Sequence, residues 1–320
     1  MSADFGLLPN GEVVKRIDLT RDDLSLSVLT YGGTIQSIEL KGVPFSLCVG
    51  FETLTEYQSS TACVGAIVGR VANRIGKGRA EIDGTLYTFD RNENDRHTLH
   101  GGKGNLASKN WSLISHTPDA VRLQTQLMDG ENGFPGNVDV SVNYRLRAGG
   151  ILEIVLEAKT DAPTLCNLAP HPYFNLNGGG DAREQTLLID TEEIIETDAE
   201  KIPTGALLPV EGTPWDHRIE RRISESGATY DHNYCLGTER TTLRPIARLN
   251  GVESGVSMEI ATTEPGLQIY DGAGLHTPYA GIAIEPQCWP DAPNHNTFPS
   301  ILLRPGETSR QVTRFTFSRI

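Results

Sequence analysis

His171 stands between two prolines in Asn167-Leu168-Ala169-Pro170-His171-Pro172-Tyr173-Phe174-Asn175-Leu176, and Glu285 precedes a proline in Ile282-Ala283-Ile284-Glu285-Pro286-Gln287. An imidazole and a carboxylate can exchange protons with a substrate near neutral pH. Proline disfavours the helical region for the residue before it, so Ala169, His171 and Glu285 are expected to be extended. Side chains on an extended chain alternate faces. His171, Tyr173 and Asn175 then share one face, and Phe174 and Leu176 the other. By the same rule Glu285 and Gln287 oppose Ile282 and Ile284. The pattern predicts two titratable groups near strand ends, each above an apolar floor.

Polar residues also concentrate in Gly69-Arg70-Val71-Ala72-Asn73-Arg74-Ile75-Gly76, in Thr98-Leu99-His100-Gly101-Gly102 and in Tyr230-Asp231-His232-Asn233-Tyr234. Each segment has a structural reading of its own. His171 and His100 could be satisfied core histidines, and Asp231 could bond its own backbone in a turn. Arg74 could neutralise Glu285 or bridge surface acids. An unpaired Glu285 in an apolar strand is harder to explain this way, because burying a lone carboxylate is costly.

The elements that must hold these residues read as strands. Val138, Val140, Val142, Tyr144 and Leu146 alternate with polar residues, as do Leu24, Leu26 and Val28, and Val121, Leu123 and Leu127. Such a period of two marks half-buried strands. Leu152, Ile154, Leu156 and Ala158 form a strand buried more fully on both faces. Turn signals such as Asp129-Gly130 and Gly178-Gly179-Gly180 fall between the runs, and no long stretch carries a helical period. The expectation is an all-β fold, a large antiparallel sandwich with no low-complexity linker dividing it.

Composition narrows the partners. The formal net charge of −13 opposes nucleic acid and anionic membranes. No apolar run approaches the roughly 18 residues of a membrane span, and Met1-Ser2-Ala3-Asp4-Phe5 lacks the pattern of a secretory signal. Five scattered cysteines, none in a Cys-x-x-Cys pair, point to free thiols in a reducing, cytoplasmic setting. The histidines show no metal-ligand spacing, so no metal is expected. Gly101-Gly102-Lys103-Gly104 is not a phosphate loop, and there is no Gly-x-Ser-x-Gly elbow.

Taken together and in order, these segments resemble the aldose 1-epimerase (galactose mutarotase) family. The likeness begins at Leu29-Thr30-Tyr31-Gly32-Gly33 and runs through the four polar segments. It continues in Pro265-Gly266-Leu267-Gln268-Ile269-Tyr270, Glu285-Pro286-Gln287, Phe298-Pro299-Ser300 and Leu303-Arg304-Pro305-Gly306-Glu307. The resemblance implies one domain over residues 1–320, an antiparallel β supersandwich, and cofactor-free interconversion of the α and β anomers of a free aldose such as galactose or glucose. It makes Glu285 the general base, His171 the general acid and His100 a second histidine near the ring oxygen. It assigns Arg74, Asn73 and Asp231 to sugar hydroxyls and sets Tyr173 and Gln287 beside them. Trp289, Phe134 or Tyr270 could supply an aromatic face. Ala169-Pro170 and Pro172 around His171, and Cys288-Trp289 after Gln287, depart from the family pattern and are expected to reshape the pocket wall.

Two rival readings remain. Asp231 and Glu285 could be the carboxylate pair of a glycoside-processing hydrolase, which works at separations of roughly 5–5.5 Å or 6.5–9.5 Å. Alternatively, the fold could serve a non-catalytic sugar-binding or regulatory protein. A phosphorylated sugar is disfavoured, because no cluster of arginines offers itself to a phosphate.

Overall fold

Every alternating run named above is a strand in the computed structural model, which describes residues 2–319. The largest sheet has nine antiparallel strands. Ser112–Thr117, Ala120–Leu127, Val138–Arg147 and Ile151–Thr160 follow one another across it as hairpins. The C-terminal strand Ser309–Arg319 lies next, between Ile151–Thr160 and Val256–Thr262. Arg244–Gly251, Thr186–Ile189 and Arg221–Arg222 complete the sheet.

A six-stranded sheet carries Tyr173, Asp231, Glu285 and Gln287. Its order is Tyr173–Phe174, Ile282–Gln287, Gly266–Tyr270, Asp231–Cys235, Glu193–Thr197, Pro203–Pro209. A four-stranded sheet is built from Ser2–Leu7, Val13–Arg21, Leu24–Leu29 and Ile35–Leu40. These two smaller sheets share one apolar core with the nine-stranded sheet. Val140, Val142, Tyr144, Leu156 and Phe315 enter it from the large sheet, and Leu19 and Leu26 from the four-stranded one. Phe174, Leu267, Ile269, Ile282 and Ile284 enter from the six-stranded sheet. The Phe174 and Phe315 rings meet 4.9 Å apart between the layers. Each fully buried side chain of this size stabilises the fold by roughly 1.5–3 kcal/mol.

The register of the six-stranded sheet decides which side chains face away from that core. Glu285 pairs with Gln268 and Ala283 with Tyr270, while Ile284 pairs with Ile269. Asp231 pairs with Tyr270, and Tyr173 with Ala283. With period-two alternation, Tyr173, Asp231, Gln268, Tyr270 and Glu285 share the outer face, and a slip by one residue would bury all of them.

Two expectations are modified. His171 does not lie within a continuous strand. Ala169–Pro170 pairs with Ile67–Val68, Tyr173–Phe174 pairs with Ile282 and Ala283, and His171 sits between the two short pairings. Its backbone is held instead by Gly65 and Ala66: His171 N donates to Ala66 O at 2.8 Å, and its carbonyl accepts from Gly65 N at 3.0 Å. Prolines suit positions 170 and 172 because neither needs an N–H partner. The strand Leu24–Leu29 is covered on both faces toward its end, where Ser27 is buried and donates to Asp18 Oδ1 at 2.8 Å.

Candidate active site

A cavity of about 230 Å³ opens above the outer face of the six-stranded sheet. Its wall includes His171, Glu285, His100, Asn73, Arg74 and Asp231, together with Tyr173, Tyr270 and Lys201. The volume lies below the roughly 300–1,000 Å³ of pockets for drug-sized ligands, a scale that suits one small polar molecule.

His171 Nε2 and Glu285 Oε1 are 3.4 Å apart, and both side chains are almost wholly buried. Among the described residues, neither His171 Nδ1 nor Glu285 Oε2 has a hydrogen-bond partner. Burial pushes the His171 imidazole down to about 4. It pushes the Glu285 carboxyl well above its ordinary value, and the nearby charge of Asp231 adds to the rise. A charged N–H···O pair would close to about 2.7–2.9 Å, so the longer spacing agrees with neutral neighbours. Between the two titrations the pair holds one proton.

His100 is placed by a reciprocal clamp. The short strand Arg74–Ile75 pairs with Thr98–Leu99, and at its end His100 N donates to Asn73 O at 2.9 Å. In return Asn73 N donates to His100 Nδ1 at 3.2 Å. Nδ1 is therefore the acceptor, and in the neutral ring the proton sits on Nε2. The ring is neutral, because burial, with His171 and Arg74 nearby, holds its pKa well below the usual histidine value. It stands edge-on to His171 with centroids 5.2 Å apart. Gly101 next to it adopts φ +88°, and a Cβ there would lie 2.4 Å from Arg70 N, so the turn that delivers His100 needs glycine.

Arg74 pairs with Glu93 and Asp231 rather than with Glu285, on which its charge acts only as a partial counterweight to burial. Its guanidinium grips Glu93, with Nη2 to Oε1 and Nε to Oε2 both at 2.9 Å. It also lies 3.6 Å from Asp231 Oδ2. Asp231 is not a self-bonded turn residue: it accepts from Gln268 Nε2 at 2.7 Å and from Lys201 Nζ at 2.6 Å.

Seven of the eight residues singled out in the sequence thus meet in one cavity, and Gln287 does not line it. Gln287 shares the outer face with Glu285, but it is fully buried opposite Gly266 and donates to Cys288 O at 3.2 Å. Of the proposed aromatic faces only Tyr270 lines the cavity. Trp289 is buried against Phe298 and donates to Pro265 O, and Phe134 stacks on Phe89. Pro170, Pro172 and Cys288 also lie behind the wall rather than in it. Sequence reasoning missed Lys201, Glu93 and Gln268 as members of the polar network; Gln268 stood only within the family-like segment Pro265-Gly266-Leu267-Gln268-Ile269-Tyr270, with no role attached.

The aldose 1-epimerase family profile matches residues 15–316. Galactose mutarotase of Rattus norvegicus is 36% identical over 338 residues, covering 98% of this chain and 97% of its own. The chain belongs to the aldose 1-epimerase family. Aldose 1-epimerase of Escherichia coli is 29% identical, with 97% of each chain covered. Among solved structures, an aldose epimerase homologue from C. elegans superposes with a TM-score of 0.90 at 30% identity, over 95% of this chain and 99% of its own. A galactose 1-epimerase from Lactobacillus acidophilus gives 0.89 at 25% identity, over 100% and 98%. This family member is an isomerase of the aldose 1-epimerase class, on the all-β galactose mutarotase-like fold.

Proposed function

We infer that this chain interconverts the α and β anomers of a free aldose such as galactose or glucose, with Glu285 and His171 as the proton-exchanging pair. The observation that carries the reading is their 3.4 Å approach inside a buried cavity, each with an unpartnered polar atom. Glu285 takes the proton of the anomeric hydroxyl as C1=O forms and the bond from C1 to the ring oxygen breaks. His171 delivers a proton to that oxygen. After rotation about C1–C2, the hydroxyl attacks the other face of C1, His171 recovers its proton and Glu285 returns the one it took.

Ring opening starts from the carboxylate–imidazolium form of the pair and ends in the carboxylic acid–imidazole form, which burial favours in the free site. Both states carry the single proton that the directions of the two shifts assign to the pair. His100 offers Nε2–H toward the ring oxygen, while Arg74, Asn73 and Asp231 hold the remaining hydroxyls and Tyr270 covers a C–H face. Tyr173 supports the wall, its hydroxyl donating to Ala62 O at 3.2 Å.

A hydrolase is less well supported, because the near neighbour of Glu285 is an imidazole and Asp231 is already committed to Lys201 and Gln268. We read residues 1–320 as one domain acting in the cytoplasm, in keeping with five unpaired cysteines. The charge of −13 fits no nucleic-acid or membrane partner. Polarimetry on fresh α-D-galactose and α-D-glucose tests the activity: the chain must accelerate the drift in rotation, and robust cleavage of aryl glycosides without that acceleration would overturn the assignment.

A further inference from the structure

The wall of the cavity contains a cation that none of the sequence motifs contains. Lys201 is the fourth residue of Asp198-Ala199-Glu200-Lys201-Ile202, the turn joining Glu193–Thr197 to Pro203–Pro209. The turn is closed by its own bonds: Asp198 N donates to Ile202 O and Lys201 N to Asp198 O, both at 2.9 Å. Asp198 Oδ1 accepts from Glu200 N and Ile202 N at 2.8 and 3.0 Å. From outside, Glu200 fastens the turn to Arg96 at 2.5 Å and approaches His97 Nε2 at 3.6 Å. Lys201 itself sits at φ +62°, a strained conformation for a residue with a Cβ. The turn therefore holds position 201 at the cavity mouth from two sides, in a backbone state that glycine would adopt more easily.

The Lys201 ammonium lies 2.6 Å from Asp231 Oδ2 and 5.9 Å from the centre of the Tyr270 ring, and its side chain is about half exposed. An ammonium has three donors and a carboxylate about four acceptor sites. One Lys201 proton reaches Asp231, which leaves donors facing the opening, and Asp231 retains acceptor capacity beside them. Two neighbouring hydroxyls of a polyol match this arrangement, one donating to Asp231 and the next accepting from Lys201. An anionic substituent matches it less well, since Asp231 already offsets Lys201 and Glu93 already offsets Arg74.

We propose that Lys201 is a specificity-determining residue that acts with Asp231 as a two-point clamp on a pair of adjacent hydroxyls of the aldose. The proposal rests on the sugar-binding reading above. Direct binding, measured separately from turnover, keeps the two distinguishable.

The experiment is titration calorimetry of wild type, Lys201→Met and Lys201→Gly with D-galactose, D-glucose and their mono-deoxy analogues. Glycine removes the ammonium while relieving the backbone strain, so a folding defect cannot account for an effect shared by both variants. Both variants are expected to weaken the fully hydroxylated sugar about tenfold, the loss of one hydrogen bond from a charged donor. One mono-deoxy analogue, which wild type binds poorly, should be bound equally by all three proteins. Unchanged affinities in both variants, or the same weakening for every analogue, would overturn the clamp. Polarimetry of the same wild-type sample reports on the isomerase reading alone: absence of acceleration with the binding pattern intact removes that reading and leaves the clamp standing.

Discussion

Glu285 Oε1 lies 3.4 Å from His171 Nε2, and both side chains are almost wholly removed from water. Removal from water disfavours the charged form of each group. The same burial therefore makes the Glu285 carboxylate a stronger base and the His171 imidazolium a stronger acid. Ring opening needs both changes at once, so one physical cause drives both proton transfers in the same direction.

Replacing either partner should stop the shuttle without unfolding the chain. Glu285→Gln and His171→Asn are each expected to lower kcat by about 10²–10⁴-fold, the usual worth of a positioned acid or base. Both side chains line the cavity, away from the Phe174–Phe315 core contact, so circular dichroism and Tm should stay close to wild type. Near-wild-type turnover in either variant would remove that residue from the mechanism.

The pH profile of kcat/KM has a defined sign. With His171 held at about 4 and Glu285 held well above its ordinary value, the pair carries one proton between those limits. Lowering the pH through ~6.5, the ordinary imidazole value, should cost no activity. Activity falls near pH 4, where His171 gains the second proton and no base remains. On the alkaline side it falls as Glu285 loses the last proton and no acid remains. An unshifted imidazole would instead lose activity near pH ~6.5, and an acid limb there would contradict this proton count.

Arg74→Lys tests the guanidinium. A lysine cannot reproduce the two-pronged grip on Glu93 while also facing Asp231. KM should rise about tenfold, and stability should fall by about 1–3 kcal/mol because Glu93 loses one of its two charge-assisted hydrogen bonds. Kinetics and urea unfolding check the two parts separately.

Gly65→Ala probes the mounting of His171 rather than its chemistry. Gly65 has φ +71°, and an added Cβ would stand 2.1 Å from the carbonyl oxygen of Ile35. Relief requires moving the segment whose N–H holds the His171 carbonyl. The substitution should lower Tm and kcat together, whereas a rise in KM alone would show that His171 had not moved.

The strand faces were legible because a half-buried strand writes its orientation as a period of two. Tyr173 against Phe174 and Glu285 against Ile284 both follow it. His171 was legible as a chemical group but not as a structural one, since its bonds go to Gly65 and Ala66, more than a hundred residues earlier. Lys201 carried no signal: its turn is ordinary in composition, and its partner Asp231 lies thirty residues further along. The departures at Pro170 and Cys288 were visible but misleading about the wall. Cys288 N donates to Asn167 Oδ1 at 2.9 Å while Asn167 Nδ2 donates to Cys288 O at 3.2 Å, a lock behind the cavity rather than part of it.

The residues that meet in the cavity run from Thr61 to Glu285 along the chain. No contiguous fragment carries the site, and its walls meet only through pairings between distant segments, which form late because loop closure must come first. Catalytic recovery during refolding is therefore a reporter of finished assembly, silent until the last of these long-range pairings has closed.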